Sequence, residues 1–210
     1  MHSDDPTLAE ALDEVLLRAG FAMGDDYDDV LIQGLNNATS RRRVLALRGL
    51  FRQGLATSSI WRDALEDRDV DVRREALGLI AHVEVLDDEL LRSVTNLLDD
   101  EDALVVDAAI FALGEQLYVG AVERLCTVAT SHDDARCRES AVAALGAIGD
   151  ERARPVIILA LDDKPPVRRR AIVALSNFEG PDIDQALARA AQDRDWQVRA
   201  AVNQLGRDDD

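Results

Sequence analysis

Asp67-Arg68-Asp69-Val70-Asp71-Val72-Arg73-Arg74-Glu75-Ala76-Leu77 returns four times further down the chain in related form. Asp100-Glu101-Asp102-Ala103-Leu104-Val105 leads into Ala109, Ala112, Leu113 and Gly114. Asp133-Asp134-Ala135-Arg136-Cys137-Arg138 leads into Ala141, Ala144, Leu145 and Gly146. Asp162-Asp163-Lys164-Pro165-Pro166-Val167-Arg168 leads into Ala171, Ala174 and Leu175, and Asp193-Arg194-Asp195-Trp196-Gln197-Val198-Arg199 into Val202, Leu205 and Gly206. With Val72, Val105, Cys137, Val167 and Val198 as anchors, the spacings are 33, 32, 30 and 31 residues. A fainter copy runs from Asn37 to Leu50, anchored at Arg42, 30 residues before Val72. A fixed period of this length is the mark of a repeat architecture.

After each anchor, apolar residues recur four, seven or eight, and often five positions on, which is the stripe of a buried amphipathic helix and not the alternation of a strand. Ala at the fourth position lets a neighbouring helix approach. Asp before the anchor suits an N-cap, Pro165-Pro166 suits a helix entry, and Gly146, Gly149 and Gly206 fall where helix ends with positive φ are expected. A second apolar helix precedes each anchored one; Leu90, Leu91, Val94, Leu97 and Leu98 mark one example. A single helix pair cannot bury both apolar faces, whereas stacked pairs share a continuous core. The expected fold is therefore all-α: an α-solenoid of about six antiparallel helix pairs over residues 25–207. An N-terminal capping helix within residues 1–24 precedes it, entered at Asp5-Pro6 with Leu8, Leu12, Val15 and Leu16 inward. Asp25-Asp26-Tyr27-Asp28-Asp29 reads as linker and helix start, and Asp208-Asp209-Asp210 as an acidic tail.

The 210 residues carry 29 Asp and 12 Glu against 23 Arg and a single Lys, Lys164, a net charge of −17. Such a field repels nucleic acid and anionic lipid, and the sequence has no apolar run near the ~18 residues that cross a bilayer. Nearly complete loss of Lys with retention of Arg, and Asp favoured over Glu, points to the cytoplasm of an extreme halophile. There the Debye length falls to about 3 Å at molar salt and the charge hardly repels itself. Cys126 and Cys137 form no CxxC and read as small buried apolar residues. Met1-His2-Ser3-Asp4-Asp5-Pro6 lacks the basic and apolar regions of a secretory signal.

The run D-x-D-x-x-V-R-x-x-A, seen at Asp67–Ala76 and less completely in the other copies, resembles the short HEAT-like repeats of the phycobilisome-lyase type. The resemblance implies a ladder in which turn aspartates meet the arginines that follow the anchors. Carried onto this sequence, the arginines are Arg73, Arg138, Arg168 and Arg199, with Arg43 weaker, and the acids Asp69, Asp134, Asp163 and Asp195. Val106 breaks the series, which leaves Asp102 in need of another partner. HEAT-like relatives also include di-iron hydroxylases and alkylpurine DNA glycosylases. The first need His-Glu pairs, and none of His2, His82 and His132 is followed by Glu. The second need a basic groove, against which the charge argues.

The sequence lacks the other common chemical motifs. The only Lys is not in a phosphate-binding loop. Asp67, Asp69 and Asp71 imitate an EF-hand start but Val72 stands where its Gly belongs. No zinc spacing occurs. The sequence thus implies a non-enzyme with no cofactor and no metal. In such solenoids the anchored helices line the concave side, with exposed positions two, three and six residues after the anchor. That strip contains Arg48, Arg74, Phe111, Arg169, Arg170 and Val173, residue types that binding hot spots favour. The reading is a cytoplasmic adaptor or scaffold that binds another protein there, in signalling or taxis, and neither nucleic acid nor membrane. A bilin-lyase-like or cofactor-attachment chaperone role is the alternative. Trp61 and Trp196 are further candidate anchors, and self-association is left open.

Overall fold

The computed structural model describes residues 6–21 and 28–205, with side chains from residue 13 onward. Asp5, the Asp25–Tyr27 part of the linker, Gly206 and the tail Asp208–Asp210 lie outside the described residues, as do the side chains of Leu8 and Leu12. The fold is an α-solenoid: every regular element among the described residues is helical, and successive helices form hairpins joined by short turns.

Two compact units divide the chain at Leu90. In the first, α1 (Pro6–Phe21) is followed by the pairs α2 (Asp28–Leu35) with α3 (Ser40–Arg52) and α4 (Ser58–Leu65) with α5 (Val70–Ile80). Helix α1 packs on both α3 and α2, and α3 packs on α5. In the second, which begins within α6 (Asp88–Asn96), come α7 (Ala103–Glu115) and three pairs. They are α8 (Val122–Ser131) with α9 (Ala135–Ile148), α10 (Arg154–Leu159) with α11 (Pro165–Leu175), and α12 (Pro181–Ala190) with α13 (Trp196–Leu205). The anchored helices α7, α9, α11 and α13 stack one on the next.

The periodic positions account for this stacking. Val72, Ala76, Leu77 and Ile80 of α5 are buried, as are Val105, Ala109, Ile110 and Leu113 of α7. So are Cys137, Ala141, Val142 and Leu145 of α9, and Val167, Ala171, Ile172 and Leu175 of α11. Burying each such quartet removes apolar surface worth several kcal/mol at roughly 25 cal/mol per Å².

Three local expectations need correction. Gly146 is not at a positive-φ helix end. It lies inside α9, where an added Cβ would stand 2.6 Å from Ala174 Cβ, so its role is close approach of α9 to α11. Gly114 plays the same part against Ala144, whereas Gly149, at φ 68°, does end α9 in the left-handed region. Val15 is 41% exposed, while Leu16 and Ala19 are buried. Cys126 is only half-buried, unlike Cys137. Of the two tryptophans, Trp61 is core and meets Phe51 edge to face at 6.1 Å, and Trp196 is 67% exposed.

Candidate partner-binding surface

Four of the anchored helices, α5, α7, α9 and α13, begin at an aspartate that caps them; α3 begins after Thr39 and α11 after Lys164, neither of which caps through its side chain. Asp69 accepts from the Asp71 N–H, Asp102 from Leu104, Asp134 from Arg136 and Asp195 from Gln197, at 2.8–3.0 Å. An acceptor here satisfies one of the open N–H groups of the first turn. These caps overturn part of the expected ladder: Asp69, Asp134 and Asp195 serve their own helices, and Asp102 needs no substitute partner.

The carboxylates that meet the arginines stand earlier in the turn. Arg43 donates from Nε and Nη2 to the two oxygens of Asp67, both at 2.7 Å. Arg138 does the same to Asp163, both at 2.7 Å, and Arg168 to Asp193 at 2.9 and 2.8 Å. In every case the acid belongs to the next repeat, and Nη1 is held by carbonyls of the arginine's own turn, such as His132 O at 2.7 Å for Arg138. The third nitrogen therefore fixes the guanidinium while the other two form the bidentate fork that makes such pairs strong. The forks are largely shielded from water, Arg168 and Asp193 being 5% and 14% exposed. The Arg168 hydrogen bonds hold the Asp193 carboxyl below the usual carboxylate range, and Arg138 does the same for Asp163. At Asp67 burial pushes upward, but the Arg43 fork and the Asp69 N–H leave the net shift downward. Arg73 and Arg199 are oriented alike by Nη1 bonds to Asp67 O and Asp193 O, at 2.8 and 2.7 Å.

The break at Val106 is a matched one. Five residues before its anchor, where Asp67 and Asp193 stand, the next repeat has His132, whose Nδ1 accepts the Asp134 N–H at 3.1 Å as Asp193 accepts that of Asp195. Val106 itself is 1% exposed. Arginine and acid are thus both absent, and no buried charge is left alone. The signal was in the sequence, five residues before the anchor at Asp67 and Asp193 instead of three, and four before it at Asp163, an acid the expected ladder already held.

The expected binding strip falls in both units. In the first, Arg48 is committed to Glu75 through two bonds of 2.6 and 2.7 Å, and Arg74 stands 3.6 Å from Asp71. In the second, α7 approaches α9 closely at Gly114, and α11 carries the Arg168 rung and the close contact of Ala174 with Gly146; Phe111 on the one and Val173 on the other are 49% and 51% exposed. Four residues before each, one turn away on the same face, stand Asp107 and Arg169. Arg169 donates to Gln197 Oε1, and Arg170 lies 3.6 Å from Glu139. The surface offers half-exposed apolar side chains on rigid helices, bordered by charge. Among the described residues no three His, Cys, Asp or Glu side chains group as a metal would require, and no helix is long and apolar enough to cross a membrane.

The profile of HEAT repeats matches residues 58–143, 95–176 and 122–206. Among solved structures, YibA of Escherichia coli superposes with a TM-score of 0.64 at 20% identity, over 96% of this chain and 74% of that one. A designed armadillo repeat protein in complex with the peptide (KR)4 gives 0.55 at 17% identity, over 97% and 94%. Computationally designed armadillo repeat proteins for modular peptide recognition give 0.53 at 18%, over 96% and 93%. These likenesses are of fold. No curated protein matches the chain in sequence.

Proposed function

Because the chain belongs to the HEAT-repeat family, we propose that it is a non-enzymatic adaptor or scaffold that grips a segment of a partner protein on the exposed ridge of its anchored helices. The observation that carries the reading is the pair of half-exposed apolar side chains, Phe111 and Val173, at equivalent positions of α7 and α11. A rigid scaffold that displays apolar groups beside charge loses little entropy on binding, and such groups supply most of the affinity of an interface. One designed armadillo neighbour is in complex with a peptide, which is consistent with peptide binding by a helical-repeat fold. The composition, with one Lys and 29 Asp, supports a halophilic cytoplasm as the setting, in a signalling or taxis assembly. Affinity at high salt then rests on contact packing and short forks, since long-range steering is screened.

The test is co-purification at high salt with wild type and with Phe111→Asp plus Arg169→Glu, whose fold is checked by circular dichroism. A partner retained by wild type and lost from the folded variant is expected. Equal retention by both removes the ridge from the reading.

A further inference from the structure

On the second unit the ridge consists of two parallel rows, and the charged row changes sign along its length. Two residues after successive anchors stand Asp107, Glu139 and Arg169; six residues after them stand Phe111, Ala143 and Val173. Members of the two rows are four apart on each helix and so share a face. Helix α7 contains acids, Asp107 and Glu115, and no base; α11 contains bases and no acid; α9 has both. Most charges near the middle are already matched. Arg136 holds Asp134 at 2.7 Å, Glu139 faces Arg170, and Arg168 is buried in its rung with Asp193. Asp107 accepts from Ser140 Oγ at 2.5 Å and Arg169 donates to Gln197, both neutral groups; Arg136 also feels the Asp107 charge, but its guanidinium is bound to Asp134. The ridge therefore presents a negative end over α7 and a positive end over α11, beside an apolar row.

We propose that this surface takes a bipolar amphipathic segment of a partner protein. Its apolar edge lies on Phe111, Ala143 and Val173, and its charged edge runs from cationic over Asp107 to anionic over Arg169. The proposal rests on the partner-binding reading above and adds the partner's charge order. Two helix spacings of 8–10 Å separate the ends, a distance that about six extended residues cover at roughly 3.3 Å each. The segment docks in one direction, because reversing it places like charges together at both ends.

Three labelled twelve-residue peptides with the same apolar edge test this. One carries lysines in its first half and glutamates in its second, one lysines throughout, and one glutamates throughout. Binding to the full chain is read by fluorescence anisotropy at about 0.15 and 0.5 M salt; at the higher value the Debye length, roughly 4 Å, removes the general pull of the net charge. Wild type is expected to bind the bipolar peptide roughly tenfold tighter than either other at the higher salt, as two short charge pairs allow. Arg169→Glu should move the preference to the all-lysine peptide and Asp107→Lys to the all-glutamate peptide. Phe111→Asp, with Val173→Asp as a second variant, should weaken all three. If wild type ranks the peptides only by their positive charge and Arg169→Glu leaves that order unchanged, the charge order is refuted, though sensitivity to Phe111→Asp would keep the surface. If no peptide binds, or none responds to Phe111→Asp or Val173→Asp, both the proposal and the surface fall.

Discussion

The natural substitution at Val106 and His132 defines a decisive experiment on the rungs: transplant it onto Arg168 and Asp193, the pair at equivalent positions. Arg168→Val alone leaves the Asp193 carboxylate, 14% exposed, without its fork but still accepting the Asp195 N–H at 2.7 Å. We expect a loss of about 1–2 kcal/mol. Asp193→His alone leaves a guanidinium 5% exposed with only its Nη1 bond to Asp163 O, and costs about 2–3 kcal/mol. Two unit charges about 4 Å apart attract by about 4 kcal/mol at an effective dielectric near 20. Solvent screening at this edge of the core lowers that by about half, so the coupling is about 1.5–2 kcal/mol. The double variant should therefore cost about 1.5–3 kcal/mol, clearly less than the singles together, because it removes both charges and supplies a ring to accept the turn N–H. Urea unfolding followed by circular dichroism, at one fixed salt concentration, gives the four stabilities of the cycle. Singles that add to within about 0.5 kcal/mol of the double would show that the fork carries no coupling, and the matched replacement at Val106 would lose its explanation.

Gly146→Ala should destabilise by about 1–3 kcal/mol, since the new Cβ meets Ala174 Cβ at 2.6 Å and two helices must part. Gly78→Ala in α5, with nothing within 4 Å, should instead stabilise by about 0.5–1 kcal/mol; thermal melts of both variants check the contrast. Leu117 ends α7 at φ 48°, with the Tyr118 N–H returning to Leu113 O as the Leu55 N–H returns to Leu50 O beyond Gly54. Leu117→Gly should therefore raise stability by about 0.5–1 kcal/mol in the same melts. Asp163 and Asp193 titrate below the ordinary range when folded, so their contribution is fully present above the unfolded value near ~3.9 and is lost as pH falls through the folded values. An acid titration of Asp193→Asn should show a flatter loss of stability below about pH 4 than wild type.

What the sequence revealed and what it concealed follow from the range of the interactions involved. The stacking was legible because it is written in each helix: Val105, Ala109, Ile110 and Leu113 show their common face without knowledge of what covers it. Caps were legible at α5, α7, α9 and α13 as a residue type, Asp before a helix, but not as an assignment, because each of those turns holds two or more aspartates and only geometry separates them. Asp69 reaches its own N–H two residues on; Asp67 reaches across about 24 residues of chain to Arg43. Gly146 was misread for a similar reason. A glycine near a helix end is consistent with a positive φ or with a close neighbour, and the neighbour, Ala174, lies 28 residues away.

The same distinction separates the frame from the surface. The rungs use their charges inward, each acid taken from the following repeat, so they give the stack a direction without offering charge to a partner. The ridge charges lie two residues after the anchor, where Asp107 and Arg169 hydrogen-bond neutral groups beside exposed apolar side chains. An anchored helix can thus change its ridge residues without changing its rung. One equivalent position is acidic at Asp107 and Glu139 and basic at Arg169, while α7, α9 and α11 keep the same buried pattern. Stability selects the face that repeats. Recognition has to reside in the face that does not, because a surface identical from one repeat to the next would give a partner no register.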